Sequence, residues 1–123
     1  MRGAGMVALG ALALFSCKAD PAKPWRDLTI PRTATEVRRG EIQIGPRRAQ
    51  ATWCFRVLGS WSRYRSWLLE RLEGEDFVVF ESAADRVSVR ISLEGDLVFL
   101  ELRAVTATAE ETEVEVMMTG VPW

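Results

Sequence analysis

The strongest constraint on this chain is a two-residue alternation of polar and apolar side chains through its second half. In Arg86-Val87-Ser88-Val89-Arg90-Ile91-Ser92-Leu93, the aliphatic residues take one parity and Arg and Ser the other. Successive side chains of a strand point to opposite faces, so this stretch is predicted to be a half-buried strand. Glu94-Gly95-Asp96 is a tight turn into Leu97–Val105, which makes the two runs a hairpin. Glu113-Val114-Glu115-Val116-Met117-Met118 alternates again with Glu on the wet side, and Phe77-Val78-Val79-Phe80 reads as a short strand of buried type.

Upstream, Glu41-Ile42-Gln43-Ile44 is a short alternating run stopped by Gly45-Pro46. From Gln50 to Leu58, Trp53, Phe55 and Val57 share one face, and Thr52, Cys54 and Arg56 the other. One helix follows, over about 60–73. Gly59-Ser60 supplies a break and an N-cap, and Gly74 stands where a C-terminal capping glycine belongs. Trp61, Tyr64, Leu68 and Leu72 form its apolar stripe, Arg63, Ser66, Glu70 and Arg71 its wet side, and Trp67 falls off the stripe. A longer helix over 49–73 also fits the hydrophobic pattern, but it must include Gly59 and leave Phe55 in water. Strand followed by helix is the preferred reading. The expected fold is α+β and two-layered: an antiparallel meander of about five to six strands with one amphipathic helix packed on one face. The expected core is Trp53, Phe55, Trp61, Tyr64, Leu68, Leu72, Val87, Val89, Ile91 and Leu93. A chain of 123 residues with 48% hydrophobic residues is one globular domain and is not disordered.

The sequence has no His. That excludes Ser-His and Cys-His nucleophile pairs, His-ligated metals and an imidazole proton shuttle. It also has no Gly-rich phosphate loop, no GxSxG elbow and no CxxC. Neither catalysis, nor a cofactor, nor a metal site is expected.

The amino terminus is read differently. Arg2 is followed by an uncharged, mostly apolar stretch from Gly3 to Phe15 and then by Ser16-Cys17. The stretch falls short of the roughly 20 residues that cross a bilayer, and its order of charge, apolar run and small residue is that of a secretory signal. Leu14-Phe15-Ser16-Cys17 resembles the lipobox of bacterial lipoproteins. The resemblance implies that Cys17 is the lipid-modified first residue of the mature chain, with Leu14 and Ser16 read by the signal peptidase. Lys18 after the cysteine then implies sorting to the outer membrane. Cys54 would be left without an intramolecular partner and reads as a small packed hydrophobe.

The chain therefore divides into 1–16, a lipoprotein signal peptide; 17–35, the lipidated Cys17 and a Pro-rich tether; and 36–123, a single small domain. Pro21, Pro24 and Pro31 argue against helix in the tether. Its 14 residues from Lys18 to Pro31 could extend about 40 Å. Trp25, Leu28 and Ile30 within it either pack on the domain edge or form a docking segment.

Charge is divided along the chain. Residues 18–72 hold 12 Lys+Arg and 5 Asp+Glu, a net of +7, and residues 73–123 hold 3 and 12, a net of −9. The two stretches either neutralise each other on folding or leave an Arg-rich side for anionic lipid or an acidic partner. Nucleic acid is not an expected partner. The functional expectation is a cell-envelope lipoprotein, anchored in the bilayer through Cys17, facing the periplasm and acting as a non-catalytic protein-interaction module. Trp25, Trp67 and Trp123 are its candidate contacts with another envelope protein. The alternative is an envelope-surface inhibitor or a module that binds an apolar ligand.

Overall fold

A computed structural model describes residues 20, 22–45, 49–93 and 95–120. Leu14, Ser16, Cys17 and Trp123 lie outside these residues. Helix α1 (Lys23–Thr29) is followed by β1 (Thr35–Arg39), β2 (Gln43–Ile44), β3 (Ala49–Leu58) and helix α2 (Trp61–Leu72), then by β4 (Asp76–Ala83), β5 (Arg86–Leu93), β6 (Asp96–Ala107) and β7 (Glu111–Gly120). All the strands join one antiparallel sheet in the order β1-β3-β7-β6-β5-β4, with β2 also pairing β3. The expected hairpin is β5–β6, running from Arg86↔Arg103 to Leu93↔Asp96.

The α+β class and the antiparallel sheet follow the alternation, and 49–58 is strand, but only β4-β5-β6-β7 form a meander: β3 pairs with β7, the last strand, and not with β4. Three further details depart from expectation. The sheet has seven strands. The additional strand, β1, is exposed at every position, so no alternation marks it. It is instead held by pairing with β3 through a bulge, where Glu36 adopts a φ of 51°. Within Phe77-Val78-Val79-Phe80 only Phe77 packs partly against the core: the run forms the outer edge strand, and Phe80 is 58% exposed. Among the described residues there are also two helices rather than one.

Helix α1 corrects the tether. Pro24 stands in its first turn, where the missing N–H would have had no intrahelical acceptor. Trp25 and Thr29, four residues apart, fall on one face and are fully buried. Thr29 ties three elements together. Its Oγ1 accepts a 2.9 Å bond from Trp53 Nε1 and donates to the Trp25 carbonyl at 3.0 Å, and its carbonyl accepts from Tyr64 Oη at 2.7 Å. Burial pushes the Tyr64 phenol well above its usual range, so it stays a donor.

Helix α2 begins where expected, with Ser60 Oγ accepting from the Arg63 N–H at 3.2 Å. It ends at Leu72, and Gly74 follows in the turn with a φ of 94° that suits glycine. Trp61, Tyr64, Leu68 and Leu72 are buried, with the Tyr64 ring 5.6 Å from that of Phe55. The core continues through Trp53, Val87, Val89, Ile91, Leu100, Leu102, Val114, Val116 and Met118, while Leu93 is only partly buried. Each large side chain contributes about 1.5–3 kcal/mol of transfer free energy.

Asp20 is clasped to α1 by Arg26, through bonds of 2.9 and 2.5 Å, with Arg39 at 3.5 Å. The Arg26 hydrogen bonds hold its carboxyl below the usual 3.8. A depressed folded value means that the stabilisation is complete above the unfolded pKa and is lost as pH falls through the folded one. Wild-type stability should therefore fall faster than that of Asp20→Asn as pH drops below about 3.8, as denaturant midpoints at pH 6 down to pH 2 would show. Parallel curves would contradict the clasp.

Candidate functional site

Because both helices cover the same face of the sheet, the other face is left to solvent, and alternation decides what it displays. The half nearest β1 is ionic. Arg38 reaches Glu113 at 2.8 Å, Arg56 reaches Glu111 at 2.6 Å and Glu36 at 3.0 Å, and Arg103 reaches Glu115 at 2.8 Å. Arg38 and Arg56 belong to the basic stretch, and Glu111 and Glu113 to the acidic one, so much of the charge division cancels across the β1-β3-β7 ladders. The Glu111 hydrogen bond raises the Arg56 pKa, and the Cys54 sulfur with Glu113 raises that of Arg38. Exposed pairs of this kind contribute about 0–1 kcal/mol each, so they favour strand register more than stability. Cys54 is a free thiol here, half-buried on the outer face and not in the core. The parity that buries Trp53 and Phe55 turns Cys54 outward.

The other half, over β4, β5 and β6, is apolar. Phe80 and Phe99 meet edge to face, with ring centroids 5.9 Å apart and planes at 85°. Val78 and Leu97 extend the patch at 46% and 47% exposure. The register places Arg90 between them, opposite both Val78 and Phe99. Neither phenylalanine was anticipated as a surface residue. The available signal is the run Leu97-Val98-Phe99-Leu100, which is apolar at both parities on a strand with one wet face. Val98 and Leu100 fill the core and leave Leu97 and Phe99 outside.

Trp67 borders two hollows beside the 30–34 loop. One, of about 260 Å³, also involves Pro31, Leu58 and Arg63, and the other, of about 630 Å³, involves Asp27, Arg32 and Arg71. Trp67 is half-buried, its ring 5.7 Å from that of Tyr64 and Arg71 5.7 Å from its centroid. Arg71 Nε in turn donates to the Leu28 carbonyl at 3.0 Å, joining α2 to α1. Trp25 is 2% exposed and offers no surface to a partner, which corrects its expected contact role. The structure does not bring the three candidate tryptophans together: Trp25 is core, Trp67 is a groove wall and Trp123 is outside the described residues.

Among the described residues, no group of His, Cys, Asp and Glu has metal-binding geometry, and no helix is long and apolar enough to cross a membrane. No protein-family model, curated protein or solved structure matches the chain. The described surfaces comprise an ion-paired face, an apolar patch and an aromatic groove edged by arginines.

Proposed function

We propose that this protein is a lipid-anchored cell-envelope lipoprotein whose domain is a non-catalytic module that binds another envelope protein. The observation that supports binding is the Val78, Phe80, Leu97 and Phe99 patch. Aromatic residues held rigidly on a solvent-facing sheet are costly to leave wet, and apolar surface of this kind is typical of contact sites. Anchoring rests on the lipobox-like Leu14-Phe15-Ser16-Cys17, and sorting to the outer membrane on Lys18.

Two experiments test these halves separately. Cys17→Ala should abolish palmitate labelling and move the protein to the soluble fraction; persistent labelling would contradict the anchor. A photocrosslinker placed at Phe80 or Phe99 in cells should give one discrete adduct with an envelope protein, whereas the same probe at Glu73, on the α2–β4 turn, should give none. Equal smears from all three positions would contradict a docking face.

A further inference from the structure

The structure changes how far the domain can stand from its anchor. If 18–31 were a free tether, the domain could move about 40 Å from the lipid. Helix α1 is instead part of the core through Trp25 and Thr29, and Asp20 is clasped against it by Arg26 and Arg39. At most three peptide steps then separate Cys17 from Asp20. Fully extended, these reach about 10 Å. A domain of about 100 residues has a radius of gyration of about 13 Å, so the leash is shorter than the body it holds.

We infer that the domain lies against the bilayer that carries its anchor, with the surface around Asp20 turned to the lipid headgroups. This rests on the reading of Cys17 as the lipidated residue. The surface concerned is the start of α1, the end of β1, the β1–β2 turn and the short β2 that follows it. It presents Lys23 and Arg39, whose side chains are 66% and 63% exposed, and Ile44, at 62%. Its carboxylates are largely offset. Asp20 is held by Arg26 and Arg39, Asp27 pairs with Lys23 at 2.8 Å, and Glu41 lies in the same turn. With Lys23, Arg26 and Arg39 matched by Asp20, Asp27 and Glu41, this surface is close to neutral, and its long cationic side chains and Ile44 can enter the headgroup interface while the charges stay at phosphate level.

The orientation also bears on the docking face. Strand β4 is five strands from β1 in the sheet order. At about 4.8 Å per strand, that separates the two edges by about 24 Å. Phe80 on β4 is thus farthest from the lipid, and Phe99 on β6, three strands from β1, lies about 14 Å across the sheet from the edge that rests on it.

Depth-dependent quenching tests this. The full lipidated chain, with Cys54→Ser to leave one labelling site, is reconstituted into phosphatidylcholine–phosphatidylglycerol vesicles containing a headgroup-level quencher. A fluorophore at Ile44→Cys should be quenched several-fold more strongly than one at Ala84→Cys in the β4–β5 turn. Inserting about 20 Gly/Ser residues after Lys18, with an r.m.s. reach of about 25 Å, should reduce the Ile44 quenching towards the Ala84 level. Mass spectrometry of the same samples reports the lipid on Cys17. Without that lipid, the anchoring reading falls and this inference with it. With lipid present, equal quenching at both positions, or quenching at Ile44 unaffected by the insertion, overturns the inference and leaves the anchoring intact.

Discussion

Trp25→Ala is expected to destabilise the domain by about 3–5 kcal/mol, the usual cost of removing a buried aromatic side chain. The indole is 2% exposed and belongs to the same cluster as Trp53, Leu68 and Leu72, so truncation opens a cavity that a short helix cannot close by moving without giving up its Thr29 bonds. For a domain near 100 residues, each kcal/mol shifts the melting temperature by about 4–8 °C, so a drop of more than 10 °C is expected. Trp67→Ala should cost clearly less, because that indole is only partly buried. Denaturant midpoints at unchanged slope measure both. Equal small losses would mean that Trp25 only rests on the surface.

Thr29→Val is nearly isosteric and should still cost about 1–3 kcal/mol, because it leaves the Trp53 indole N–H buried without an acceptor. Thr29→Ser keeps the hydroxyl and should lose only about 0.8 kcal/mol for the missing methyl. A double-mutant cycle with Trp53→Phe separates the bond from packing. Once the indole N–H is gone, Thr29→Val should cost much less than in the wild type, and additive losses would show that the bond is not what matters.

The sheet was legible because burial of one face imposes a period of two, and β3, β5, β6 and β7 all carry it. Helix α2 was legible from Ser60, Gly74 and the Trp61–Tyr64–Leu68–Leu72 stripe. Helix α1 was obscured by its prolines. Pro24 belongs to the first turn and Pro31 follows the last, so neither breaks it, whereas read simply as helix breakers they suggest a tether. The sign that was available is Trp25, Leu28 and Thr29 at i, i+3 and i+4, too short a stripe to stand out over two turns.

Strand β1 has no buried face and hence no pattern. At β4 the run Phe77–Phe80 resembles a core strand in composition, but it lies at the sheet edge, and the register shift between Val79 and Glu81 breaks its parity. The outer-face patch was obscured for the same reason: a strand apolar at both parities, such as Leu97–Leu100, does not declare in sequence which side faces water. The ion-paired half was anticipated only as an overall balance of charge, because pairing Arg56 with Glu111 and Glu113 requires the β3–β7 register.

The central claim is that the folded domain includes Asp20 and helix α1 and does not start near residue 35. Amide hydrogen exchange along α1 in the lipid-free mature protein tests it most directly. The Arg26 N–H bonds the Ala22 carbonyl and the Ile30 N–H bonds the Arg26 carbonyl, both at 2.9 Å. The fold described above predicts that these amides are protected almost as strongly as those of β7, opening only with the whole domain. Exchange at the rate of an unstructured peptide, with β7 still protected, would make residues 20–30 a free tether and contradict it.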